Sequence, residues 1–177
     1  MKKIALSFIL LGSLFVTSCD KGFEELNTNP NSPVVVPAHL LINDVVFSAT
    51  NSMYSTFVGG DMGECWAQHW SKVQYNDEER YSPRNNVLEV TVWKTLYEDV
   101  VAGGKSVEKL AAAEENSSVE GVGLVLQAYG YAVLTDMFGD IPFSEATRAD
   151  EGIFAPKYDS QQDVYTGILA MLDKANT

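Results

Sequence analysis

Between Gly121 and Thr135 the chain reads GVGLVLQAYGYAVLT, fifteen residues without a single charge. Fifteen residues are too few to span a bilayer as a helix. Glycines and alanines recur in the stretch at helix-contact spacings, which let a neighbouring backbone come close. A helix without a charged face has no side to turn to water, so the stretch is read as a buried helix that other elements must cover.

The surrounding patterns supply those elements. Pro37 stands where a helix begins, and Leu41, Val45, Ala49 and Met53 continue at near-helical spacing until Gly59-Gly60, read as the break. A helix is expected over Glu64 to Val73, then a polar loop holding Asn76-Asp77-Glu78-Glu79 and Ser82-Pro83. Trp93, Leu96, Tyr97, Val100, Val107, Leu110 and Ala111 mark a long helix with Gly103-Gly104 as a weak point inside it. Ser117-x-x-Glu120 fits a capping box opening the uncharged helix, and Phe138-Gly139 with Pro142 beyond closes it. After a loop of about 20 residues, Ser160-x-x-Asp163 is a second capping box, followed by the stripe Val164, Ile168, Leu172 and Ala175.

No run alternates with period two, so the chain is read as mainly α, with helices paired through short turns as in helical-repeat scaffolds. A strict tetratricopeptide pattern is not met, because Tyr97 stands where that pattern wants a small residue. The chain ends at Asn176-Thr177 directly after an apolar stripe, which suggests the front part of a longer protein.

The N-terminus sets location. Met1-Lys2-Lys3 precedes thirteen uncharged residues, Ile4 to Val16. They would rise about 20 Å as a helix against a hydrocarbon core of roughly 30 Å, the proportions of a secretory signal peptide. Val16-Thr17-Ser18-Cys19 resembles the lipobox of bacterial lipoproteins, which implies a signal peptide over residues 1–18, acylation of Cys19, and a tether over 19–36 rich in Asn, Thr, Pro and Ser. The folded part would then run from 37 to 177.

Charge excludes one class of partner and constrains another. The net charge of −12 is wrong for nucleic acid, whose phosphates need a basic face, and the three arginines Arg80, Arg84 and Arg148 form no tight cluster. An acidic chain is also repelled by anionic lipid, so the membrane would hold it through the acyl chains alone.

Nothing in the pattern specifies catalysis. Cys65 and His69 stand four apart, with Glu64 adjacent, but no second Cys/His pair completes a metal site and no orienting group is evident for a nucleophile. No Gly-x-Ser-x-Gly elbow or phosphate loop occurs. Binding is better supported. In CWAQHWSKVQYNDEERY flat rings alternate with amides, hydroxyls and charges. Sugars present C–H faces and hydroxyl rims, so Trp66, Trp70, Tyr75, Asn76, Arg80 and Tyr81 are the candidate ligand residues, against the alternative that the tryptophans are core.

LTDMFGDIPFSEA, Leu134 to Ala146, is the most specific stretch, and it resembles the signature of the SusD/RagB-like nutrient-binding outer-membrane lipoproteins. ELNTNPNSP after the lipobox, AQHWSKVQY followed by ERY, Trp93-x-x-x-Tyr97 and PKYDSQQDVYTGILAMLDKAN agree with it in order, closest to the broader second subgroup. The resemblance implies a helical scaffold with tetratricopeptide-like pairs, of which this chain is the N-terminal part, and no enzymatic activity. It implies a lipid-anchored protein on the cell-surface side of the outer membrane, a SusC-like TonB-dependent transporter as partner, and a glycan or peptide as ligand. Gly139, Asp140 and Pro142 of the signature are read as structural. No cofactor is implied beyond calcium, which some members hold and for which Asn76 to Glu79 offer oxygens without an EF-hand spacing. The alternatives are a lipid-anchored scaffold that binds only proteins, and a glycosidase whose acid pair lies outside this chain.

Overall fold

The computed structural model describes residues 36–84 and 86–176. Cys19, the signal peptide over 1–18 and the tether up to residue 35 lie outside the described residues. Among the described residues, four α-helices carry the fold: α1 (Ala38–Tyr54), α2 (Ala102–Ala113), α3 (Ser117–Phe138) and α4 (Gln161–Ala175). Two two-residue strands, β1 (Ile141–Pro142) and β2 (Tyr158–Asp159), pair antiparallel, with Ile141 opposite Asp159 and Pro142 opposite Tyr158. The fold is mainly α, as the periodicity predicts.

The uncharged stretch forms most of α3, and α3 is the central element. It packs against α2 and α4, and more lightly against α1. Leu124, Ala128, Tyr131 and Leu134 are buried on it. None of the described helices is long and apolar enough to cross a membrane.

Ahead of α2 the helical run begins as wide turns of i→i+5 type, Val87–Lys94 and Leu96–Val101, and continues without a break into α2. Val101 is buried here, and so is the series Val87, Val92, Leu96 and Val100. The steps of that series, five, four and four, exceed the 3.6-residue α repeat, and wide turns keep such steps on one face.

Several local expectations are corrected. α1 ends at Ser55, whose extended backbone breaks the helix and whose Oγ accepts the Val58 N–H at 3.1 Å to start the next segment, Thr56–Glu64. Gly59 and Gly60 lie inside that segment and break nothing. Gly103-Gly104 is no weak point either. Gly103 faces Val45 of α1 so closely that a Cβ would stand 2.6 Å from Val45 Cγ2. The cap of α3 is Asn116, whose Oδ1 accepts the Val119 N–H at 3.2 Å, not Ser117. Glu120 reaches Lys174 of α4 instead, at 3.1 Å. Ser160 does cap α4, accepting the Asp163 N–H. On α4 the stripe is only half covered: Val164 and Ile168 are buried, whereas Leu172 is 39% exposed.

The tightest crossing joins α2 and α3. A Cβ on Gly123 would lie 2.6 Å from the Glu108 backbone nitrogen and 2.8 Å from the Gly104 carbonyl. Beside it the buried Gln127 donates to Glu108 Oε2 at 2.8 Å, and Lys174 donates to Glu108 Oε1 at 2.8 Å. One carboxylate thus ties three helices together. Burial raises the Glu108 pKa, but the hydrogen bonds from Lys174 and Gln127 outweigh it and leave the group below its usual value.

The obstructing atoms at Gly123 are backbone and cannot rotate away. Gly123→Ala should therefore cost about 3 kcal/mol or more in urea unfolding, the upper part of the overpacking range. Gly63→Ala is the control, because its Cβ would meet only the Val58 carbonyl at 3.4 Å. It should stay within about 0.5 kcal/mol of the parent.

Candidate functional site

The helix expected over Glu64 to Val73 does not form. Helical geometry stops at Trp66, and Gln68 takes a left-handed backbone at φ 60°. Tyr75 at 54° and Tyr81 at 59° do the same, so three residues with side chains hold positive φ within one loop. Such conformations cost on the order of 1 kcal/mol or more each and persist only where surrounding contacts impose them.

The contacts centre on Glu78, whose side chain is 1% exposed. Arg84 Nε donates to its Oε1 at 2.6 Å and Lys72 Nζ to its Oε2 at 3.3 Å. Asp61 Oδ2 pairs with both cations, at 2.7 Å from Lys72 Nζ and 3.3 Å from Arg84 Nη2. Two carboxylates and two cations close a neutral square, which is how a buried charge becomes tolerable. Burial raises the Glu78 pKa, yet the Arg84 hydrogen bond, with those of its backbone and Lys72, brings it below the ordinary glutamate value. Lys72 is held above its ordinary value, first by its hydrogen bond to Asp61. The square joins the Thr56–Glu64 segment to both arms of the loop. Glu79 Oε2 accepts the Lys72 N–H at 3.0 Å, and the Arg84 guanidinium lies 5.3 Å over the Phe57 ring.

This frame pushes the aromatic rings outward. Trp66 is 37% exposed, Trp70 58%, Tyr75 75% and Tyr81 60%, so the first two are surface residues and not core. Trp93, the third tryptophan, packs half-buried against the core. Trp66 is fixed at its polar end, Nε1 donating to the Glu78 carbonyl at 2.7 Å, and its ring stands 6.1 Å from that of Tyr81 at 31°. The Trp70 indole covers Gly60, where a Cβ would approach to 3.2 Å.

A cavity of about 490 Å³ opens between Trp70 and Tyr81, lined also by Gln68, His69, Ser71, Glu79 and Cys65. Of the six predicted ligand residues, then, Trp70 and Tyr81 line it and Trp66 supports Tyr81 from beside it. Tyr75, Asn76 and Arg80 lie elsewhere on the loop. The sequence reading missed Gln68, Ser71 and Glu79 as lining groups, and it weighed His69 only as a metal or nucleophile partner. Their proximity depends on the left-handed turn at Gln68, for which the sequence carries no glycine or asparagine as a signal.

The cavity lining brings together aromatic faces, an amide, a hydroxyl, an imidazole, a carboxylate and a thiol. His69 Nδ1 lies 3.0 Å from Glu64 Oε2, so an orienting carboxylate does exist. The Cys65 thiol, however, is buried and desolvation raises its pKa, the reverse of what activates a nucleophilic thiolate. Among the described residues no group of three or more His, Cys, Asp and Glu is placed to hold a metal ion. Two of the side-chain carboxylates in Asn76 to Glu79 already have partners. Glu78 turns inward to the cations, and Glu79 accepts the Lys72 N–H.

The signature stretch has a different role. Gly139 ends α3 at φ 78°, its N–H bonded to Thr135 O at 2.8 Å. Asp140 Oδ1 accepts the Gln161 N–H at 3.0 Å at the start of α4, and the Pro142 carbonyl accepts the Tyr97 hydroxyl at 2.6 Å. Asp159 accepts the N–H groups of Phe143 and Ser144 at 3.2 and 2.7 Å. Asp136 bonds the Tyr165 hydroxyl. These residues join α3, α4 and the segment ahead of α2, and none of them lines the cavity.

Compared with known proteins, residues 30–177 match the SusD-like family model described as starch-binding and associating with outer membrane. No curated protein matches the chain.

The Glu78 square should be visible in acid. A carboxyl with a lowered folded pKa adds stability that is present above its unfolded value of about 4.3 and is lost as pH falls through the folded one. Raised Lys72 works oppositely, losing its share only above about pH 10.4. Tryptophan emission should therefore be level from about pH 5 to 9 and change below about pH 4. Glu78→Gln, which leaves two cations short of a partner, should lower stability by on the order of 3 kcal/mol. Hydrogen exchange in that variant should rise over residues 64–84 before it rises in α3.

Proposed function

The chain belongs to the SusD-like family, and on that premise we propose that it is a surface-exposed outer-membrane lipoprotein that captures glycans in the cleft between Trp70 and Tyr81. The observation that carries this reading is a single cavity combining two exposed rings with an amide, a hydroxyl, an imidazole and a carboxylate. A pyranose has apolar C–H faces and a rim of hydroxyls, each able to donate and accept. Rings satisfy the faces, and Gln68, Ser71, His69 and Glu79 supply mixed donors and acceptors for the rim.

Capture would be followed by delivery to a TonB-dependent transporter of the same membrane, with Cys19 carrying the lipid anchor and residues 20–36 the tether. Both transporter and anchor come from the resemblance and the family's outer-membrane association. The protein works by binding and performs no chemistry on its cargo. A loop held by the Glu78 square suits such a task, because a site fixed before the ligand arrives loses less entropy on binding.

Isothermal titration of the full chain against neutral oligosaccharides, uronate oligomers and peptides tests the reading. Saturable glycan binding should weaken about tenfold or more in Trp70→Ala and in Tyr81→Ala, as expected for losing a stacked ring. Peptide binding at the same residues would move the ligand class while keeping the site. Glycan binding indifferent to both substitutions would overturn the site, and release of hydrolysis products from a bound glycan would overturn the binding-only function.

A further inference from the structure

A second cavity, of about 360 Å³, opens elsewhere and has different chemistry. Its lining is Leu88, Glu89, Trp93, Phe138 and Tyr158. Trp93 is the hub: Phe138 meets it edge-on at 5.1 Å and 84°, and Tyr158 stands 6.3 Å away at 24°. Tyr158 is 64% exposed, so the group opens to solvent. Three rings and a leucine form the walls, and among the described residues lining it the one charged side chain is the carboxylate of exposed Glu89.

That inventory does not suit a sugar. A pyranose brings several hydroxyls, each losing water on burial, and one carboxylate cannot replace those partners. It suits a ligand with an apolar body and one positive charge. Aromatic faces attract a cation within about 6 Å of their centroids, and a neighbouring carboxylate adds a direct charge pairing. The cations adjacent along the chain do not fill the role. Lys94 lies 3.8 Å from Glu98, and Lys157 lies 3.4 Å from Asp159. The net charge of −12 further favours cations at the surface.

We propose that the Trp93–Phe138–Tyr158 notch, with Glu89 at its side, is a binding site for a small alkylammonium cation, independent of the Trp70–Tyr81 cleft. The ring faces take the N-methyl or N-methylene groups, whose partial positive charge they complement, and Glu89 neutralises the charge from the side. The apolar walls select against metal ions and ammonium, which hold their water too strongly to enter.

Isothermal titration of the full chain with choline tests this, with the carbon isostere in which tert-butyl replaces trimethylammonium as the neutral comparison. Choline should bind saturably, and the isostere about tenfold more weakly or worse, the ratio expected for a partly desolvated cation over aromatic rings. Glu89→Gln should weaken choline about fivefold or more, since it removes the counter-charge on an exposed side chain. Tyr158→Leu keeps apolar volume but removes a ring face, so it should weaken choline and leave the isostere unchanged. Trp70→Ala should leave choline binding intact. Absence of saturable choline binding, equal affinity for the isostere, indifference to Glu89→Gln, or loss in Trp70→Ala would each overturn the proposal. Should Tyr158→Leu fail to fold, the isostere comparison and Glu89→Gln still decide it.

Discussion

The close passage of α2 over α3 at Gly104 and Gly123 is the constraint on which the remaining structure depends. With a Cβ at Gly123 excluded at 2.6 Å from backbone, the two helices meet without side chains between them. The separation saved there lets Gln127 reach Glu108 and lets Lys174 of α4 reach the same carboxylate. Were the helices spread by a side chain, Gln127 would be a buried amide short of a partner, which is costlier than the loss of any one apolar contact. Closeness at one point thus fixes the polar clamp, and the clamp fixes where α4 lies.

From there the chain places its two arrays of aromatic residues by different means. The Trp93 array is built on the helical frame itself: Trp93 belongs to the helical run that becomes α2, Phe138 is the last residue of α3, and Tyr158 lies in β2. Packing against the core decides its geometry. The Trp70 array stands on a loop with little apolar support, and charge decides its geometry. Glu78 has to be buried for the loop to close. Once buried, it must keep Lys72, Arg84 and Asp61 in place, because a lone carboxylate there would be several kcal/mol unfavourable. The three left-handed residues Gln68, Tyr75 and Tyr81 fit this account, since a network of charged hydrogen bonds can hold a backbone that its residues would not choose.

This difference also explains what could be read from the sequence. α3 was legible because fifteen uncharged residues leave no other solution, and α4 because Ser160 and Asp163 announce its start. The signature stretch and the family match over residues 30–177 agree on a fold of SusD-like type. Local breaks were less legible. Ser55 ends α1 through its backbone conformation, while Gly59 and Gly60, the expected breakers, lie inside the segment Thr56–Glu64, where Gly60 leaves room for the Trp70 ring. Gly103-Gly104 looked like weakness for the same reason: a glycine chosen for close approach is indistinguishable in sequence from one chosen for flexibility. The exposure of Trp66 and Trp70 could not be read from composition, which favours tryptophan inside. The loop buries Glu78 and leaves both indoles at the surface, an arrangement that no local pattern encodes.

Burying a glutamate while Trp66 and Trp70 stay at the surface bears on the proposed function. An apolar core under the loop would hold the rings by contact area, and the area spent on the core would be lost to a ligand. Holding the loop by charge pairs frees the rings from structural duty: Trp70 and Tyr81 can present their faces to the cleft while the loop stays closed beneath them. The polar ends are handled separately, Trp66 donating to the Glu78 carbonyl, so the indole is oriented by the same residue that anchors the loop. Under the proposed glycan reading, stability and recognition draw on different atoms of one short segment. The cleft rings could then change with the ligand, while Glu78, Arg84, Lys72 and Asp61 hold the loop.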